Sequence, residues 1–281
     1  MRRPPLAAPL ALVATLLACG PEDPVEDTGE AAVASDAIDA TVTEGRIFLH
    51  VLRAVDEPTP DAAATGRGVL RARDQLAALY GSCVSLRADA GQGRLSATFT
   101  RCRSSERSPA VTGTVDYTFA PSPAGLTVQA SARQFALGPA TVETLDATAT
   151  LRLAGGIREV TMTASRYAYR GALGRFVESS LLTPTVTLRG DLTSGCFSYD
   201  GGRRVTTREV DGREGGYTLS IAGYQRCLTQ CPRAAMDAVV LTSLDGARVL
   251  RGSFSGLATG RWVYTVNGVR AAAGTWRLNC G

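Results

Sequence analysis

The chain has 281 residues, of which 44% are hydrophobic and 20% charged, a composition that is ordinary for a globular protein with a sizeable core. Thirty glycines, abundant Thr, Ser, Val and Ala, and few aromatic residues favour many short strands joined by turns over a helical bundle. Because every basic residue is Arg, the composition excludes Ser-Lys dyads, Schiff bases and the lysine of phosphate-binding loops.

The charges are divided unevenly along the chain. Residues 22–45 hold eight acidic residues and no Arg, whereas the chain from Arg46 onward has 28 Arg against 18 acids, a net charge of about +10. A positive body can attract the phosphate or carboxylate groups of anionic glycolipids. The arginines are scattered, without a dense run or interleaved aromatic residues, which favours a solvated strand surface and predicts no nucleic-acid partner.

Residues 1–18 have the pattern of a secretory signal peptide. Arg2 and Arg3 form a charged start, and the apolar run from Leu6 to Leu17 is too short to cross a membrane as a helix. The run ends in Leu16-Leu17-Ala18-Cys19, which resembles the lipobox of bacterial lipoproteins.

This resemblance covers only the first twenty residues, and it implies how the mature protein begins. In bacterial lipoproteins the signal is removed just before the Cys, which carries a diacylglycerol group and an acylated amino group. Cys19 would then be the first residue of the mature chain and its membrane anchor. Because Gly20 stands where an Asp would signal retention in the inner membrane, the resemblance implies the outer membrane of the bacterial cell envelope.

Residues 19–35 are predicted to form a flexible acidic tether. This stretch is rich in Pro, Gly, Ala and Thr and has almost no large apolar side chains, so it cannot bury enough surface to offset its ordering entropy.

Two helices are predicted after the tether. The first runs from about Asp36 to a stop before Pro58, and the second from about Gly68 to Tyr80, with Gly81 as a C-terminal stop. We expect one or both helices to cover the apolar face of the sheet. The apolar positions that define the two helix faces are Ile38, Val42, Leu49, Leu52 and Val55, and then Val69, Ala72, Leu76, Leu79 and Tyr80.

The stretch from Val111 to Leu192 alternates apolar and polar residues with period two, which predicts a β-meander. Turn signals recur from Cys83 onward, and the pairs Asp211-Gly212, Asp245-Gly246 and Asn267-Gly268 are typical of two-residue hairpins. The expected fold is all-β with a short N-terminal helical segment. It is a sequential antiparallel meander of about twelve strands that forms a curled sheet, a sandwich or a partly open barrel.

The division of the body is left open. A Cys-rich β-region from residue 195 to residue 281 contains Trp262, Tyr264 and Trp276, which would give it a core of its own, separate from residues 36–194. The alternative is that both regions form one continuous sheet and one domain.

Six cysteines remain if Cys19 is acylated, and an even number in an exported chain favours disulfides. Cys83 and Cys102 end two strands joined through Gly91-Gln92-Gly93, so a hairpin would place them side by side. The remaining predicted pairs are Cys196 with Cys227 and Cys231 with Cys280; a local bridge between Cys227 and Cys231 is the alternative. No metal site is predicted, because zinc would need two further thiolates or imidazoles beside Cys227 and Cys231.

No catalytic residue is predicted. Nucleophilic hydrolysis needs a base beside the nucleophile, and the single histidine, His50, lies in the helical region. The segment from Gly252 to Gly256 has Phe254 where a nucleophile elbow needs Ser. Paired carboxylates are the one remaining enzymatic option, although acids that flank a glycine usually serve a turn. The candidate carboxylates are Glu209, Asp211 and Glu214, or Asp191 and Asp200.

The sequence therefore predicts an anchored envelope lipoprotein without cofactor or enzymatic activity, which serves a structural or protein-interaction role. Its expected partners are the membrane, through Cys19, and envelope proteins or anionic glycolipids. The alternative is a binding module that holds a lipid or glycan in the curved sheet. The apolar lining of that site would come from Tyr117, Phe119, Phe135, Tyr167 and Tyr169.

Overall fold

The structure is a computed structural model. It describes residues 29–34, 37, 47–48, 51–52, 55, 61–104, 110–123, 125–138, 140–154, 157–170, 176–181, 186–190, 196–208, 212–227, 230–257 and 259–277. Several residues named above lie outside these ranges: Cys19, Ile38, Val42, Leu49, His50, Asp191, Glu209, Asp211 and Cys280.

Helical structure occurs before the first strand. Residues 29–34, 37, 47–48 and 51–52, called here the N-terminal helical residues, are α-helical. Helix α1, Ala62–Tyr80, begins six residues before the predicted start, because Asp61 provides the cap: its Oδ1 accepts a hydrogen bond from the backbone N–H of Ala63 at 2.9 Å. Gly81 ends α1 at φ 63°, and a 3-10 turn, Gly81–Cys83, leads into the sheet.

The body is built from fourteen strands, two more than the approximate number predicted. The strands are β1 Val84–Asp89, β2 Arg94–Cys102, β3 Val111–Ser122, β4 Gly125–Leu137, β5 Ala140–Ala154, β6 Ile157–Arg170, β7 Phe176–Leu181, β8 Val186–Gly190, β9 Cys196–Arg208, β10 Glu214–Cys227, β11 Arg233–Ser243, β12 Arg248–Ser255, β13 Thr259–Val266 and β14 Val269–Arg277.

All fourteen strands belong to one antiparallel sheet in nearly sequential order. The single exception is β8, which pairs with both β6 and β9. Because β7 and β8 both pair with β9, the sheet continues without interruption across residue 195. Within the described chain, β1 and β14 each pair with one strand and form the two edges.

The strands have one buried face and one wet face, as the alternation predicts. In β3, Val115, Tyr117 and Phe119 are buried, whereas Asp116 and Thr118 between them are exposed. A single buried face over fourteen strands must be covered, since it would otherwise leave a large apolar surface in water.

The N-terminal helical residues help to cover that face. Ala31, Phe48, Val51 and Leu52 are fully buried, and they belong to the same apolar cluster as residues from β2 to β14. Contacts of this segment with both β3 and β14 show that the sheet curls around it.

This packing corrects the predicted extent of the tether, since residues 29–34 are helical and Val33 and Ala34 are buried. The physical reason is that small side chains bring a helix backbone close to the sheet, so a stretch poor in large apolar residues is still packed. None of the helices in the described chain is long and apolar enough to cross a membrane.

Candidate functional site

A surface groove of about 450 Å³ lies along the first three strands, at the β1 edge of the sheet. Leu95 and Tyr117 are buried residues at its floor. The polar side chains around it are Arg87, Asp89, Arg94, Ser96, Asp116 and Thr118.

The strand register arranges these polar residues in two rows across the groove. One row runs from Arg87 through Ser96 to Asp116. The next row, two residues along, runs from Asp89 through Arg94 to Thr118. Since side chains two apart on a strand share a face, all six lie on the wet side, where two positive and two negative charges alternate.

The charged and hydroxyl groups of the groove suit a surface that contacts another polar molecule. Asp89 serves the hairpin turn, because its Oδ1 accepts a hydrogen bond from the backbone N–H of Gln92 at 3.0 Å. The charges at the groove sum to zero and stand beside two hydroxyl groups, so the site can pair with a polar partner by hydrogen bonds. Its lack of net charge gives no preference for an anion over a cation.

A second site holds the start of the N-terminal helical residues against the last strands. The Arg248 Nη1 atom lies 2.9 Å from the Glu30 Oε1 atom, and the Glu30 side chain is only 16% exposed. The Arg248 guanidinium also lies over the ring of Tyr217, 5.8 Å from its centroid. Glu30 thus pairs with a cation that itself packs on an aromatic ring.

Electrostatics at this second site reflect its partial burial. Burial raises the pKa of Tyr264 above its ordinary value, and the neighbouring Glu30 carboxylate raises it further. Burial acts to lower the pKa of Arg248, but Tyr217, Glu30 and Asp245 outweigh it and raise the value. Both shifts favour the protonated forms, so Arg248 is a cation beside Glu30.

Hydrogen bonds between its own polar groups stabilise the turn that precedes Arg248. The Ser243 hydroxyl donates to Asp245 and accepts from the Arg248 N–H at 3.0 Å, while Asp245 Oδ1 also accepts from the Ala247 N–H at 3.0 Å. The bond from Ser243, followed by that from Ala247, lowers the pKa of Asp245. The turn therefore holds Arg248 in position to meet Glu30.

Two hydrogen bonds to backbone carbonyls also hold the N-terminal helical residues against the sheet. The Trp276 Nε1–H donates to the Ala31 carbonyl at 3.0 Å, and the Tyr117 hydroxyl donates to the Ile47 carbonyl at 3.2 Å. Burial raises the pKa of Tyr117 well above its ordinary value, so this hydroxyl remains a donor. Sequence patterns missed this site because Glu30 lies in the acidic stretch and is separated from its partner Arg248 by 218 residues.

The aromatic residues expected to line a ligand cavity are part of the core. All five are at most 5% exposed, and Tyr167 and Tyr169 stack on each other with ring centroids 6.0 Å apart. The residues concerned are Tyr117, Phe119, Phe135, Tyr167 and Tyr169.

The disulfide between Cys83 and Cys102 is present, with Cα atoms 5.4 Å apart, as the hairpin predicted. Cys227 and Cys231 are both disulfide-bonded, which removes them as thiolate ligands for zinc. The β9–β10 register places the backbone of Cys196 directly opposite that of Cys227.

The described members of the candidate carboxylate pairs serve the structure. Glu214 Oε1 lies 3.0 Å from Arg208 Nη2 across the β9–β10 hairpin. Asp200 Oδ1 accepts a hydrogen bond from the Gly223 N–H at 2.6 Å. Phe254, at the centre of the apparent elbow, is a core residue of β12 that stacks on Trp276.

In the described part of the chain, no group of three or more His, Cys, Asp or Glu residues is arranged to hold a metal ion. Comparison with protein-family models, characterised proteins and solved structures finds no match to this chain.

Proposed function

We propose that the chain is a lipid-anchored protein of the bacterial cell envelope, held by an acylated Cys19 in the outer membrane, with a structural or protein-interaction role. The signal pattern that ends at Cys19 supports the anchor. The observation that carries the interaction role is that the chain's own N-terminal helical residues pack on the buried face of the sheet. The outer, polar face of the sheet is then the surface that contacts a partner.

The groove along β1, β2 and β3 is the contact surface that we propose on that face. Its alternating charges and hydroxyls suit the polar side chains and backbone of another envelope protein. Strand β1 is also an edge of the sheet, so its outer backbone groups lie beside the groove and can pair with an extended segment.

A binding module for a lipid or glycan is the competing function, and the packing disfavours it. A ligand in the curl of the sheet would have to displace Phe48 and Leu52, which are fully buried. That displacement would expose apolar surface that the helical segment now covers, at a cost of about 1.5–3 kcal/mol for each large side chain.

Mass spectrometry of protein purified from native envelopes tests the anchor directly. The expected species begins at Cys19 with three acyl chains and carries no copurified lipid or glycan, and Cys19→Ala should abolish detergent partitioning. An unmodified and freely soluble wild-type protein would refute the anchor. A stoichiometric bound lipid or glycan would favour the binding module.

Site-specific photo-crosslinking in intact cells tests the interaction role. A crosslinker at Thr118, in the groove, should give a discrete protein adduct. A crosslinker at Thr206 is the matched control, since this threonine is also exposed on the wet face but lies on β9. Equal labelling from both positions, or none from Thr118, would rule out the groove as the contact surface.

A further inference from the structure

The two edges of the sheet differ in how they are protected against pairing with another strand. Soluble proteins usually protect an edge strand with a proline, a β-bulge or a charged side chain on the inner face. Strand β14 has such a feature, since its pairing with β13 shifts register between Tyr264 and Thr265. Strand β1 pairs with β2 over all six residues without a shift, and none of the six is proline.

The inner side of β1 is apolar and only partly covered. Val84, Leu86 and Ala88 pack against the core but keep part of their surface exposed. Within the described chain β1 pairs with β2 alone, so the backbone N–H and C=O groups on its other side can pair with a further strand. Such a strand would also cover the apolar side chains that β1 leaves half-buried. The β1 edge therefore favours an extended partner.

The outer side of β1 indicates which partner fits, because its two charges are self-complementary. Arg87 and Asp89 are both exposed and lie two residues apart on that side. When two copies of β1 pair antiparallel about a two-fold axis at Ala88, Arg87 of each copy lies opposite Asp89 of the other. Opposite charges in such cross-strand positions are stabilising, whereas like charges are destabilising. Each copy of β1 thus supplies both of the charges that the other copy needs.

Other registers of two β1 strands match these charges less well. Side chains that lie opposite each other must share a face of the sheet, so the axis has to pass through a residue and not between two residues. An axis at Arg87 would place the two guanidinium groups opposite each other. An axis at Leu86 would place Arg87 opposite Ser85 and leave Asp89 without a cationic partner. The charge pattern therefore favours the axis at Ala88.

Pairing about Ala88 also joins the grooves of the two copies. The row of the groove that ends at Arg87 would lead directly into the row of the second copy that begins at Asp89. Along this combined row the charged residues alternate in sign, in the order Asp116, Arg87, Asp89 and Arg94. Since Asp89 uses its Oδ1 atom for the hairpin turn, its second carboxylate oxygen can accept from the guanidinium of the other copy.

We propose that the partner bound at the groove is a second copy of this chain, held by antiparallel pairing of the two β1 strands about an axis at Ala88. This inference rests on the proposed contact surface and names its partner. The paired strands are short, and their ion pairs are exposed to solvent, so the association is weak in free solution. Copies that are anchored in one membrane have a raised effective concentration, which favours it.

Exchange of the charges tests the pairing in the mature chain with Cys19→Ala, whose self-association does not depend on the acyl anchor. Analytical ultracentrifugation at concentrations up to about 1 mM measures the dimer. Arg87→Glu places like charges opposite each other twice, so we expect the dissociation constant to rise about tenfold or more. Arg270→Glu is the matched control, because it makes the same change at an exposed residue of β14, and it should leave the dimer unchanged.

A mixture of two variants makes this test specific to the second copy. Asp89→Arg should also fail to dimerise, but an equimolar mixture of Arg87→Glu with Asp89→Arg should form heterodimers, because each variant supplies the charge that the other lacks. Circular dichroism of each variant checks its fold. Three outcomes overturn the inference: a wild-type chain that stays monomeric, an Arg87→Glu variant that dimerises like the wild type, or folded variants that do not associate when mixed.

Oxidative crosslinking tests the register. A cysteine on the axis meets its own counterpart, so Ala88→Cys should give a disulfide-linked dimer on a non-reducing gel. Leu86→Cys is the control on the same face of β1, since its two copies would lie about 13 Å apart along the strands, too far for a disulfide. Crosslinking of Leu86→Cys that equals or exceeds that of Ala88→Cys would refute the axis at Ala88.

The identity of the adduct at Thr118 separates this inference from the proposed function. An adduct of two copies of this chain agrees with both. An adduct with a different protein, together with a monomeric wild type, would keep the contact surface and refute only the second copy as its partner.

Discussion

The indole Nε1–H of Trp276, in the last strand, donates a hydrogen bond to the carbonyl oxygen of Ala31, 3.0 Å away and 245 residues earlier in the chain. Both residues are buried. The bond joins the start of the described chain to its final strand, so the helical segment and the β14 edge stabilise each other.

The bond between Trp276 and Ala31 can be tested with Trp276→Phe. The variant keeps an aromatic ring but removes the indole N–H that donates to the Ala31 carbonyl, so we expect a loss of about 0.5–1.5 kcal/mol in unfolding free energy. Amide hydrogen exchange over residues 31–34 should accelerate. Trp262→Phe is the control, because Trp262 is equally buried but packs over Gly274. Equal acceleration in both variants would show that the ring volume, and not the hydrogen bond, holds the segment.

Gly252 provides space for the same indole. A Cβ atom at Gly252 would lie 2.6 Å from Cζ3 of Trp276, so Gly252→Ala must displace the ring or the strand. We expect Gly252→Ala to lower the unfolding free energy by about 1–3 kcal/mol in urea denaturation. Gly91→Ala is the control, since the nearest atom to its Cβ is an Asp89 oxygen at 3.5 Å. An unchanged unfolding free energy in Gly252→Ala would mean that the indole can move aside at no energetic cost.

The cysteine pairing of the C-terminal region follows from the strand register. Because Cys196 lies opposite Cys227 in the β9–β10 pair, we predict a disulfide between them and a second one between Cys231 and Cys280. Non-reducing peptide mapping should recover a peptide that joins Cys196 to Cys227, and Cys196→Ser should free one thiol at Cys227. A peptide closed on itself through Cys227 and Cys231 would establish the local bridge instead.

Tyr117 gives the fold a dependence on alkaline pH. Its folded pKa is raised above the ordinary value of 10.0, first by burial and then by the neighbouring Tyr80. A group whose pKa is raised on folding contributes stability below its unfolded pKa and loses it as the pH rises above that value. The stability of the wild type should therefore fall as the pH rises above 10, and Tyr117→Phe should fall less steeply. Urea denaturation at neutral and alkaline pH measures both slopes. Equal slopes of stability against pH in the wild type and in Tyr117→Phe would contradict the assignment of this dependence to Tyr117.

The alternation in β3 determined which side chains face the core, because a strand repeats every two residues and Val115, Tyr117 and Phe119 must share a side. Local turn chemistry likewise determined the hairpin that brings Cys83 and Cys102 together. Both features depend on residues close in sequence, so they could be predicted without knowledge of the fold.

What only the tertiary structure decided is the covering of the sheet and the position of the candidate sites. Glu30 and Ala31 lie in a stretch that by composition resembles a solvated tether, yet they pack against Arg248 and Trp276. The groove depends on the register that places Arg87, Ser96 and Asp116 in one row. Alternation specifies the face on which a side chain lies, but the curl of the whole sheet determines which distant segments meet it, because that curl sums small twists over fourteen strands.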